Sequence, residues 1–272
     1  MHEDRTIWWW ALGVVAAGAI AAAVWWWQDR APAPVATAPP PSAVAEAAAP
    51  AEAPPARHPI EDAPAAVGAD TAAPLPPLAD SDGVFRPAIG ALVGEQALVE
   101  FFAMTGLAAR IVATVDNLPR SKVATRMLPV RGPGGAFIVD GAADGLALGA
   151  ANADRYSAHL RLAESVPMDR LAAAYLRLYP LLQQAYRELG YPQGHFNDRL
   201  VEVIDHLLAT PAVEEPIALV QPKVLYQFAD PALESRSAGQ KLLLRMGAGN
   251  AARVKKTLLE FRRAITAAPP PQ

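Results

Sequence analysis

The sequence predicts a mainly α-helical domain with minor β structure, a short hairpin and a few extended segments, behind a single N-terminal transmembrane helix. Three observations carry this prediction. All six tryptophans of the 272-residue chain lie before residue 28. Thirteen of the 27 prolines fall between Pro32 and Pro77. Beyond Asp80, apolar residues recur mainly at three- and four-residue spacing, the period of an amphipathic helix. The 52% hydrophobic composition therefore averages unlike regions: an anchor at 1–30, a Pro/Ala-rich linker at 31–79, a globular domain at 80–267 and a tail at 268–272.

From Ile7 to Trp27 no residue is charged. At about 1.5 Å per residue this run spans roughly 30 Å, the thickness of a bilayer's hydrocarbon core. Trp8, Trp9 and Trp10 bracket one end and Trp25, Trp26 and Trp27 the other, the placement of indoles at two membrane interfaces. A cleaved signal peptide would have a basic start and a shorter apolar core; here Glu3 and Asp4 precede the run. Arg5 and Arg30 face each other across the span, so charge does not orient it.

Residues 31–79 hold 13 prolines and 19 alanines. Proline removes backbone donors and alanine buries little surface, so the stretch reads as a disordered tether with polyproline-II bias.

In the domain, Leu98, Phe101 and Phe102 mark a helix through about Met104, and Leu107, Ile111, Val112 and Val115 mark the next. A hairpin is expected from Thr125–Val130, a turn at 131–135 and Ala136–Val139, with Pro129 confining the first strand to an edge. The longest helix begins near Met168, with Leu171, Tyr175, Leu178 and Leu182 on its stripe. Pro180 should kink or split it, and Gly190 should cap it. Another helix runs from about Gly194 to Ala209. Residues 217–220 and 224–228 read as short strands or extended segments. Asp230-Pro231 is an N-cap with proline at the first helical position. Lys241–Met246 ends at Gly247, and Asn250 is placed to cap a last helix to about Thr266.

Several separated motifs stand out: Asp116-Asn-Leu-Pro-Arg120, Tyr179-Pro-Leu-Leu182, Phe196-Asn-Asp-Arg199, Ile204-Asp-His-Leu-Leu208, Phe228-Ala-Asp-Pro231 with Leu233-Glu234, and Lys241-Leu-Leu-Leu-Arg-Met-Gly247. Together, over roughly residues 80–267, they resemble the bacterial family catalogued as domain of unknown function 3014. The resemblance implies a Gram-negative inner-membrane protein with one span, a variable Pro/Ala linker and a periplasmic domain. It implies no activity.

With no cysteine, the chain has no disulfide framework, thiolate metal site or cysteine nucleophile. Nucleophile-elbow, zinc-protease, phosphate-loop and dinucleotide motifs are missing, so no catalytic residue and no cofactor is assigned. His195, Asp198, Glu202 and His206 share a helical side, but about 10 Å of helix rise separates His195 from Glu202. They read as a polar face, and no metal ligand is assigned. Tyr175, Tyr179, Tyr186 and Tyr191 read as core residues with hydroxyls at the rim rather than a sugar platform. The clearest asymmetry is basic: residues 236–272 carry a net +7, against −5 for residues 80–235. Arg245, Asn250, Arg253, Lys255, Lys256, Arg262 and Arg263 are the candidate anion or partner patch, with Gly247-Ala-Gly-Asn250 offering backbone donors at a helix start. The partners expected are the bilayer, through residues 7–27, and an envelope protein; nucleic acid is not expected. The alternatives are an enzyme or ligand-binding domain acting on an envelope polymer, and a domain held on the bilayer surface.

Overall fold

Ten α-helices and two small hairpins make up the fold among the described residues. The computed structural model describes residues 55–60, 74–142 and 145–267, all inside one compact unit, Glu52–Gln272. The span predicted at 7–27, its six tryptophans, much of the linker and the tail lie outside the described residues. No helix among the described residues is long and apolar enough to cross a membrane.

The first three helices are α1 (Asp82–Val93), α2 (Glu95–Phe101) and α3 (Leu107–Asn117). The predicted helix through Met104 stops early, because Phe102 turns extended and bridges to Val130. Gly106, at φ +65°, turns the chain into α3. The Asp82 carboxylate of α1 accepts from the N–H of Gly106 (2.7 Å) and of Leu107 (2.9 Å), placing negative charge on the positive end of α3.

The hairpin expected at 125–139 does not form. Thr125–Met127 is a 3₁₀ turn, and the chain around Pro129 pairs with the end of α2: Ala103 N–H donates to the Pro129 carbonyl and Arg131 N–H to the Phe101 carbonyl. Prolines 129 and 133 supply no N–H to a ladder, so this stretch cannot close on itself. The hairpin lies further on, where β1 (Val139–Asp140) pairs antiparallel with β2 (Ala147–Leu148). A second hairpin, β3 (Leu219–Val220) with β4 (Gln227–Phe228), falls where extended segments are expected. The two are joined by the bridge Ala147↔Ala218. Leu148, Ile217, Leu219 and Phe228 bury a small core between them.

Helices α4 (Asn152–Arg155) and α5 (Ser157–Ser165) lead into α6 (Met168–Glu188), which runs as one helix through Pro180. An internal proline costs about 3 kcal/mol. Leu178, Leu181 and Leu182, each 5% exposed or less, contribute about 1.5–3 kcal/mol apiece by burial and outweigh it. Gly190 ends the segment at φ +119°, as expected. Helix α7 (Phe196–Leu208) packs on α3, α6 and the long α10 (Ala248–Thr266), and α10 also packs on α6. Because α7 is enclosed on several sides, Val201 and Ile204 join the main core while Val203 and Leu207 join a second cluster with Leu243 and Met246.

Between these come α8 (Pro231–Glu234) and α9 (Ala238–Arg245). Asp230 caps α8 as expected, accepting from Ala232 N–H at 2.8 Å. Asn250 does not cap α10. The helix starts three residues earlier than that cap would set, after Gly247 at φ +86°, and the Asn250 side chain donates instead to the carbonyls of Ala153 and Met246.

Candidate functional site

The motif residues gather around the start of α7. At the end of α3, Asp116 is 3% exposed. Its Oδ1 accepts from Arg199 Nε (3.1 Å), its Oδ2 from the Arg120 guanidinium (2.6 Å), and its carbonyl from the other arm of Arg199 (3.0 Å). The Tyr191 hydroxyl donates at 3.3 Å to the same carboxylate, and its ring stacks on Tyr186 at 4.6 Å. Glu202 takes the remaining end of Arg199 at 3.0 Å. Asp116 raises the Arg120 pKa above its ordinary value by hydrogen bond and charge. Each oxygen of this carboxylate accepts a hydrogen bond, so the cluster ties α3 to α7. Tyr175 and Tyr179 pack on the core with bonded hydroxyls: Tyr175 donates to Asn197 Oδ1 and Tyr179 to Gln183 Oε1. Burial pushes the Tyr175 hydroxyl well up from its ordinary pKa.

The first turn of α7 is built with equal care. Gln183 reaches across from α6, accepting from Phe196 N–H (2.8 Å) and donating to the Gly194 carbonyl (2.7 Å). A side chain at Gly194 would meet Tyr186 at 2.8 Å, so only glycine fits there. Asn197 is 0% exposed, with Nδ2 donating to the His58 carbonyl at 2.9 Å. Asp198 accepts from the backbone N–H of Arg57 (2.9 Å) and of His58 (2.7 Å). Residues 55–60, within the stretch predicted to be linker, therefore lie against the domain. The sequence carries a faint sign of this: Arg57 is the only Lys or Arg, and Ile60 the only isoleucine, between residues 31 and 79.

Three of the four side chains expected on one polar helix face go separate ways. Asp198 holds backbone amides, Glu202 meets Arg199, and His206 Nε2 lies 2.8 Å from Ser237 Oγ. Among the described residues no group is placed to hold a metal ion. The Ser237–His206 pair escapes notice in the sequence. Ser237 caps α9 through Gln240 N–H, and Asp205, next to the histidine, is taken by Arg262, so no triad assembles.

Several of the basic candidates are engaged by other groups of the chain. Arg253 forms a two-pronged pair with Glu164 (2.7 and 2.6 Å), Arg262 one with Asp205 (2.6 and 2.9 Å), and Lys255 donates to the Thr210 carbonyl. The Arg253 bond lowers the Glu164 carboxyl below its ordinary value, a charge at Lys256 adding to it. Arg245 sits over the rings of Phe228 (5.4 Å) and Phe137 (6.0 Å). Arg263 lies in the last turn of α10, on the same helix as these pairs. At the start of α10, the carboxylate expected there from outside is the chain's own: Glu215 accepts from Ala248 N–H at 2.9 Å. Glu215, Asp140, Asn152, Arg245 and Asn250 line a pocket of about 430 Å³. A second cavity, about 290 Å³, is wholly apolar and lies among α1, α3, α6 and Phe261.

The most exposed large apolar side chains among the described residues are adjacent in the sequence. At the tip of the β3–β4 hairpin Val224 is 85% and Leu225 76% exposed, while Leu219 and Phe228 fix the hairpin's base in its core. A family model described as a protein of unknown function (DUF3014) matches residues 107–262. No curated protein and no solved structure matches the chain.

Proposed function

The chain belongs to the DUF3014 family, and we propose that it is a membrane-anchored protein of the bacterial inner membrane whose tethered, periplasmic domain binds a protein partner. The uncharged run at 7–27 with its paired tryptophan triplets supports the anchor, and the Pro/Ala-rich stretch supports the tether. The observation that carries partner binding is the tip of the β3–β4 hairpin. Two large apolar side chains held in water forgo about 1.5–3 kcal/mol each, which a covering surface would return. The hairpin's base is held in a core by Leu219 and Phe228, which lowers the ordering cost of presenting them.

A photo-crosslinking residue at position 223 in intact cells tests this reading. A discrete protein adduct, lost with Val224→Asp and Leu225→Asp, is expected. Adducts confined to lipid would replace the reading with a bilayer-surface domain. The anchor has its own test, because every tryptophan lies in 8–27. Brominated lipids should quench most of the emission of the reconstituted chain, and unquenched emission would remove the span.

A second reading, a ligand-binding or enzymatic domain for an envelope polymer, is favoured by the mixed pocket of Asp140, Asn152, Glu215 and Arg245. Binding of soluble polymer fragments, abolished by Arg245→Ala with the hairpin tip intact, would support it over the first.

A further inference from the structure

The head of α7 grips a piece of main chain that is remote in sequence, through that segment's backbone. Among the described residues, three hydrogen bonds tie residues 55–60 to α7 through backbone atoms of the segment: Arg57 N–H and His58 N–H donate to Asp198, and the His58 carbonyl accepts from Asn197. In a flat strand successive N–H groups point to opposite sides. Here the chain bends at Arg57 and His58, so both amides meet one carboxylate, the arrangement of a backbone anion nest. Burial alternates along the segment, with Ala56, His58 and Ile60 half-buried and Pro55, Arg57 and Pro59 exposed. Ile60 packs against the main core. The gripping side is pre-set: Asn197 is fully buried and fixed by the Tyr175 hydroxyl at 2.9 Å.

We infer that the start of α7 is a peptide-binding cradle, with residues 55–60 as its resident and exchangeable occupant, and that it takes from a protein partner a segment of the same build. That build is two adjacent residues with free amides followed, two positions on, by a branched aliphatic side chain. The inference rests on the partner-binding reading and gives the recognised segment its chemistry. In the sequence 13 residues, 61–73, separate the resident from the next described stretch. Because resident and cradle belong to one chain, their encounter is intramolecular, with an effective concentration on the order of millimolar. The resident therefore masks the cradle against any segment that arrives at lower concentration, and a partner must bring several such contacts, or a high local concentration, to replace it.

The probe is a fluorescent peptide of residues 53–62, titrated by anisotropy into the detergent-solubilised full chain. Arg57→Pro with His58→Pro in the chain removes the two amides that Asp198 accepts and leaves the cradle intact. This unlatched variant is expected to bind the probe at least tenfold more tightly than the unaltered chain. Adding Asp198→Asn, which keeps the shape but turns an amide toward the donors, should reverse the gain. A probe with proline at the two matching positions should not bind. Equal affinity for the unaltered and unlatched chains overturns the inference, as does binding indifferent to Asp198→Asn in a chain of unchanged helicity. If those results come while crosslinks dependent on Val224 persist, the cradle falls and the partner reading stands; loss of the crosslinks as well removes both.

Discussion

Replacing Asp116 by asparagine separates a structural from a chemical role for the motif cluster. The substitution keeps the side chain's shape and removes its charge. Arg199, whose side chain is only 19% exposed, then loses its principal partner, while Asp116 itself is 5% exposed at the side chain. Breaking a buried ion pair by removing one member costs about 3–5 kcal/mol, and the residual exposure of Arg199, with Glu202 at its far end, places this case near the lower figure. For a folded region of this size, about 3 kcal/mol corresponds to a fall in Tm of roughly 6–12 °C. Arg120→Ala is the matched control. Its side chain is 54% exposed, so although it makes the shortest bond to Asp116 it should cost under about 1 kcal/mol. Urea unfolding followed by far-UV circular dichroism measures both, with Arg199→Met completing a double-mutant cycle expected to show about 2 kcal/mol of coupling. If Asp116→Asn costs no more than Arg120→Ala, the cluster is not what fastens α3 to α7, and its residues must be explained otherwise.

Two glycines should respond in opposite directions. A Cβ at Gly239 would lie 2.6 Å from Leu207 and 3.1 Å from the Leu118 carbonyl, so Gly239→Ala should cost about 1–3 kcal/mol; at Gly249 nothing lies within 4 Å, and Gly249→Ala in α10 should gain about 0.4–1 kcal/mol, both read by thermal unfolding. Stability should fall on the acid side below about pH 4.5. Glu164 is lowered from 4.5 by Arg253, and Glu234 is also lowered, burial pushing it up but Lys241 and the Phe228 N–H outweighing that. A depressed carboxyl stabilises above its unfolded pKa and loses that contribution as pH falls through the folded value. Glu234→Gln should therefore flatten the acid limb of the urea midpoint plotted against pH. Tyr175→Phe strips a donor from the fully buried Asn197 and should cost about 1–3 kcal/mol by the same urea measurement.

The helices that could be read in advance are those whose own length supplies the pattern. Leu107, Ile111, Val112 and Val115 mark α3, and the stripe through Tyr175, Leu178 and Leu182 marks α6. The strands are only two residues long, too short for a period of two to register, and their pairing is set by partners far along the chain. The hairpin expected at 125–139 failed for that reason: a glycine-proline turn is a local signal, and the competing bond from Ala103 to Pro129 is not local. The basic end shows the same limit for the site. Composition counts Arg253 and Arg262 as surplus charge, whereas Glu164 and Asp205, 89 and 57 residues away, consume them. Glu215, 33 residues before Ala248, likewise fills the helix start that Asn250 was expected to cap.

The motif Phe196-Asn-Asp-Arg199 divides its work by helical geometry. Successive residues turn by about 100°, so Arg199 can enter the cluster on Asp116 while Asn197 and Asp198 address the segment at 57–58. The same first turn is held from α6 by Gln183 on Phe196 N–H. Fastening and gripping thus share one rigid turn, and a group that never touches the segment should still control its hold. Asp116→Asn in the unlatched chain should weaken binding of the 53–62 peptide several-fold at temperatures well below unfolding, with Arg120→Ala leaving it unchanged. Unaltered peptide affinity in Asp116→Asn would show that the turn keeps its geometry without the ion pair, and that the two roles of the motif are independent.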